Sequence, residues 1–100
     1  AKRLRGSQVP QFQDTYGWLL HLLGETGEAL SVLEKAAEGL PSHPVVLYHL
    51  GAVLADLGQT TRAREVLARA VEAAGDRTIP QVTKAESLLA GLPAQPAAVE

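Results

Sequence analysis

Cysteine and methionine are absent from the 100 residues, and only 4% of the chain is aromatic. The missing thiols exclude disulfide frameworks, thiolate zinc sites, iron–sulfur clusters and cysteine nucleophiles. Charge of one sign is also missing, with Lys+Arg 9 against Asp+Glu 11 and a net charge of -2. Nucleic-acid binders usually carry a basic domain or stripe, so no nucleic-acid partner is expected. Long apolar runs are lacking too: the longest, Leu19 to Leu23, is interrupted by His21. A membrane span needs about 18 apolar residues, so no direct membrane insertion is expected. With no Met even at position 1, the chain is expected to be a processed or excised piece.

What is abundant is helix-forming. Ala and Leu together supply about a third of the chain, far above ordinary usage. Both favour helix and neither is β-branched, whereas a β-sandwich would need far more Val, Ile, Thr and Tyr. The fold class is therefore all-α. A shift of 34 residues superimposes Pro10 on Pro44, Gly17 on Gly51, Leu20 on Leu54, Leu23 on Leu57, Gly24 on Gly58 and Thr26 on Thr60. The match continues through Ala29 on Ala63, Val32 on Val66, Leu33 on Leu67, Ala36 on Ala70 and Glu38 on Glu72. This period is typical of helix–turn–helix arrays.

Each copy reads as a helical hairpin. Phe12, Tyr16, Leu19, Leu20 and Leu23 fall on one face of a first helix, which Gly24 stops. Thr26 is expected to cap the second helix, whose apolar face carries Ala29, Val32, Leu33, Ala36, Ala37 and Leu40. The second copy repeats the scheme with Leu47, Leu50, Leu54 and Leu57, a stop at Gly58, then Ala63, Val66, Leu67, Ala70, Val71 and Ala74. Gly17 and Gly51 are expected to sit at the crossings of the hairpins, facing Ala29 and Ala63. After Asp76, Thr78-Ile79-Pro80-Gln81 reads as a capping box, and Val82, Ala85, Leu88, Leu89 and Leu92 line a lone helix. The expected organisation is an N-terminal arm or the end of a preceding repeat over 1–9, repeats over 10–43 and 44–77, a capping helix over 78–92 and a flexible tail over 93–100. The tail spells a PxxP from Pro93 to Pro96, a pattern common by chance in Ala/Pro-rich stretches.

These residues resemble tetratricopeptide repeats. The first copy shows the family's pattern as Tyr16-Gly17, Leu20, Gly24, Ala29, Leu33, Ala36 and Pro41. The second shows it as Leu47, Leu50-Gly51, Leu54, Gly58, Ala63, Leu67 and Ala70, with Gly75 where the closing Pro would stand. The resemblance covers about residues 10 to 76 and implies a short right-handed solenoid, with a concave groove that binds peptides or helices and performs no chemistry. Asp14-Thr15-Tyr16-Gly17-Trp18 further resembles a stretch common in the last repeats of bacterial members. The run through Leu92 is similar to the C-terminal end of arrays associated with exopolysaccharide export and surface-protein sorting. The compartment, cytoplasm or periplasm, stays open.

No catalytic constellation stands out, so no enzyme activity and no cofactor are expected. His21, His43 and His49 are the only imidazoles, and two of them without a third ligand make a poor zinc site. None of Ser7, Ser31, Ser42 or Ser87 neighbours an oriented base, and Gly24-Glu25-Thr26-Gly27 is explained as a turn rather than a phosphate loop. Arg62, Glu65, Arg69 and Glu72 alternate at helical spacing and read as a solvated face.

The groove that the resemblance implies would be walled by the first helix of each hairpin. Asp14, Trp18, His21, Tyr48, His49 and Asp56 are its candidate partner-binding residues. Aromatic side chains with polar tips recur at binding hot spots, which singles out Trp18 and Tyr48. Two readings of Trp18 stay open: a ligand contact, or packing against a preceding repeat or the N-terminal arm. Some family members clamp a C-terminal carboxylate with Lys and Asn, but here the wall carries Asp14, Trp18 and His49. The expected partner is a protein or peptide. The alternatives are a homodimer through an apolar edge at Phe12, Leu22 or Val45, and recruitment to an export system.

Overall fold

A computed structural model describes residues 9–92. It contains α1 (Pro10–Leu22), α2 (Thr26–Gly39), α3 (Pro44–Asp56), α4 (Thr60–Ala74) and α5 (Pro80–Gly91). Strands are absent among the described residues. The readings of 1–8 as an arm and 93–100 as a tail with its PxxP lie outside the described residues.

Proline starts three of the helices. Pro10, Pro44 and Pro80 each occupy the first turn, where the missing N–H costs nothing, and the preceding Val9, His43 and Ile79 are extended. The lone α5 thus begins as the first helix of each hairpin does. Glycine closes the tight turns: Gly24 and Gly58 have φ of 87° and 80°, a conformation that a Cβ disfavours. Beyond them the Glu25 N–H donates to the Leu20 carbonyl at 2.8 Å, and the Gln59 N–H to the Leu54 carbonyl at 2.9 Å. These bonds satisfy carbonyls that the helix ends leave orphaned.

Two capping expectations are corrected. Thr26 is the first helical residue, not the cap: Glu25 holds the cap position, and no side chain closes that end. The Thr26 hydroxyl instead donates to an Asp56 carboxylate oxygen at 3.4 Å. The Thr78 capping box does not form either, because Ile79 is the cap residue of α5.

α1 packs against α2 and α3 against α4, and the hairpins join where α3 lies on α2. Leu33, Leu47, Leu54 and Leu67 are fully buried between these layers. Gly17 and Gly51 do mark the crossings, and the nearest atoms there belong to Leu33 and Leu67. A Cβ on Gly17 would lie 2.6 Å from Leu33 Cγ, and one on Gly51 would lie 2.5 Å from Leu67 Cδ2. Two arginines on the solvated face of α4 stay exposed and also bridge the hairpins. Arg62 pairs with Glu34 at 3.1 Å, and Arg69 donates to the Pro41 carbonyl at 2.9 Å.

The two ends of the stack differ. α5 packs on α3 and α4 through buried Val82 and Ala85, and it turns Thr83, Lys84, Glu86 and Ser87 outward. At the other end, the apolar face expected to be core is only partly so. Leu20 is buried and Tyr16 half-buried, but Phe12, Leu19 and Leu23 are 50%, 47% and 76% exposed. The 34-residue equivalents of Phe12 and Leu19 explain their exposure, while Leu57, the equivalent of Leu23, is exposed as well. Val46 and Val53 are buried where α3 meets the first hairpin, whereas among the described residues no hairpin precedes α1.

Candidate groove between the first helices and the terminal helix

The six candidate residues come together on one side of the molecule, but in two layers. Trp18, His21, Tyr48 and Asp56 line an open trough of about 400 Å³, together with Ala52, Ala55, Leu88 and Leu92. Asp14 and His49 stand behind them. His49 is only 9% exposed, and its Nδ1 lies 2.7 Å from an Asp14 carboxylate oxygen. This pair ties α1 to α3 across 35 residues of sequence and builds the wall rather than presenting itself to a ligand.

The wall is a cluster of four rings. The Trp18 indole stacks on His49 at a centroid distance of 4.2 Å and an interplanar angle of 20°. His21 and Tyr48 lean on the indole at 5.0 and 5.7 Å in tilted geometry. Trp18 therefore packs forward onto the second hairpin, and its half-buried remainder faces the trough. Ring pairs at such distances contribute beyond their area burial. Partial burial pushes the Tyr48 phenol above its ordinary pKa, because burial disfavours the phenolate. Nδ1 of His21 is buried and without a hydrogen-bond partner among the described residues.

Sequence spacing explains the shape of the trough. The 34-residue shift places Ala52 on Trp18 and Ala55 on His21, so the positions that carry rings on α1 carry only methyl groups on α3, and all four line the trough. The low floor beside the tall wall is what makes the depression. Leu88 and Leu92 form its far side while also packing against the core, on the face of α5 that the spacing assigns to them. The signal for them was the width of that stripe: Val82, Ala85 and Leu89 already complete one seam.

Among the described residues, no group of three or more His, Asp or Glu side chains could hold a metal ion. No helix among them is long and apolar enough to cross a membrane. Comparison with protein families matches the tetratricopeptide repeat over residues 20–81. The chain belongs to the tetratricopeptide repeat family. No curated protein and no solved structure matches it. Tetratricopeptide repeats generally mediate protein–protein interaction and typically act as non-catalytic scaffolds, and the all-α hairpin stack described above is theirs.

Proposed function

We propose that this chain is a non-catalytic interaction module that holds a peptide or helix of a partner protein in the trough between α1, α3 and α5. The observation that carries this reading is the meeting of rings from two hairpins, Trp18, His21 and Tyr48, beside the aliphatic Leu88 and Leu92 over an alanine floor. Concave, largely apolar surfaces with a few convergent polar groups are the usual places for ligands. Affinity capture from a lysate of the source organism tests it, comparing the chain with a Trp18→Ala/Tyr48→Ala variant of unchanged helicity by circular dichroism. A protein retained by the parent and lost by the variant is the expected result. Equal capture by both would overturn the groove.

A second reading, self-association, is favoured by the exposed Phe12, Leu19 and Leu22 on α1 and Leu23 at its C-cap. Val45, expected at the same edge, is half-buried and does not join them. Sedimentation of the parent and of Leu19→Glu over a range of concentrations separates the readings. A dimer of the parent that the variant loses supports self-association, and a monomer in both rejects it. The likeness to arrays of exopolysaccharide export and surface-protein sorting gains nothing from the comparisons, and no pathway is built into this proposal.

A further inference from the structure

We propose that the groove is selective for a cationic segment: its occupant places a Lys or Arg within one helical turn of a Leu-, Ile- or Met-sized side chain. The inference rests on the groove reading above and adds the chemistry of the partner. It starts from where the helices end. His21 is the penultimate residue of α1, Asp56 is the last of α3, and Leu92 follows the last of α5, yet all three line the same trough. Three helix C-termini therefore converge there, each equivalent to about half an elementary negative charge. The turn glycines offset part of this, since Gly24 and Gly58 donate to the His21 and Ala55 carbonyls at 3.0 Å. No Lys or Arg stands in the last turn of any of the three helices to neutralise the remainder.

Asp56 adds a full charge at the place where a helix least favours one. A carboxylate in the last turn opposes the dipole of α3, and the Thr26 hydroxyl at the start of α2, 3.4 Å away, offsets only part of this while the side chain stays exposed. In the first repeat the equivalent position is Leu22, so the repeat pattern does not demand an acid. Such local conflicts concentrate at functional sites. A cation bound here would meet Asp56 and the three helix ends together. None of the described residues lining the trough is Lys or Arg, and His21 is the one basic side chain among them. The aliphatic requirement follows from Ala52 and Ala55, whose small side chains leave room between Trp18 and Leu88 for one branched or linear side chain.

The test is a selection of displayed random 12-residue peptides on the full chain. Enriched peptides are then synthesised and titrated against the parent, Ala52→Leu and Asp56→Lys, at low and physiological salt. The expected peptides share Lys or Arg within four positions of an aliphatic residue, and they bind more weakly as salt rises. They lose at least about tenfold in affinity on Ala52→Leu, which fills the trough, and several-fold on Asp56→Lys. Neutral or acidic peptides that are lost on Ala52→Leu but indifferent to Asp56→Lys would overturn the cationic preference and leave the groove standing. Peptides that bind a folded Ala52→Leu as well as the parent would overturn the groove and the preference with it. Failure to enrich any peptide overturns the proposal, because it names a linear segment.

Discussion

The two hairpins share a sequence pattern but not a fate. In α3 eight residues are buried, from Pro44 through Leu54, whereas in the equivalent α1 only Gln13, Gly17 and Leu20 are. The second hairpin is covered on one side by the first and on the other by α5. The difference teaches that a repeat of this kind is not a domain. Its core positions become core only when a neighbour stacks on them, and each hairpin draws stability from the next.

The sharpest way to break this comparison is to place one charge at equivalent sites. Val46→Asp buries an unpaired carboxylate and is expected to cost several kcal/mol, about 3 or more, enough to unfold much of a small domain. Phe12→Asp, on the exposed face of α1, is expected to change stability by less than about 0.5 kcal/mol. Urea denaturation of both variants checks this, and equal losses would mean that the edge is covered. A milder version uses Leu54→Ala against Leu20→Ala. The fully buried Leu54 is expected to lose about 2–5 kcal/mol, and the 8% exposed Leu20 less, because its surroundings can relax toward solvent.

The crossings offer a smaller effect. Gly51→Ala gains helix propensity but sets a methyl 2.5 Å from Leu67 Cδ2, with Leu67 fully buried. The net loss expected by thermal unfolding is about 1–3 kcal/mol. Gly17→Ala, beside Leu33 at the open end, is expected to lose less. A gain in stability at either site would show that the leucine moves aside. The smallest effect concerns Tyr48, whose pKa is raised by burial. The folded state then holds the phenolic proton more tightly than the unfolded chain. Its contribution is fully present below the ordinary tyrosine range and fades as pH rises through the folded value. Tyr48→Phe should therefore flatten the alkaline loss of stability slightly while leaving neutral pH nearly unchanged. An identical alkaline profile would remove Tyr48 from the wall's energetics.

Much of the fold was legible because its signals are local. Pro10, Pro44 and Pro80 mark starts, Gly24 and Gly58 mark stops, and the leucine and alanine spacing marks faces within one helix. The exposure of Phe12 and Leu19 was not legible, since helical periodicity names an apolar face without saying whether anything covers it. The caps at Thr26 and Thr78 failed by one residue, because chemistry suited to a cap does not set which backbone turns first. At the site, the choice of Trp18, His21, Tyr48 and Asp56 followed from the family's geometry. That His49 would leave the surface to stack on Trp18 and meet Asp14 depends on contacts 31 and 35 residues apart in sequence, which no local pattern encodes. The place of Leu88 and Leu92 in the trough was not legible for the same reason, since it is set by the helices that α5 lies against.

The polar outer side of α5 sets a limit on assembly. Growth of a helical fibre needs two different complementary faces on every subunit, one to give and one to receive. Among the described residues one end exposes the apolar Phe12 and Leu19 and the other exposes the polar Thr83, Lys84, Glu86 and Ser87, so the two ends are not complementary.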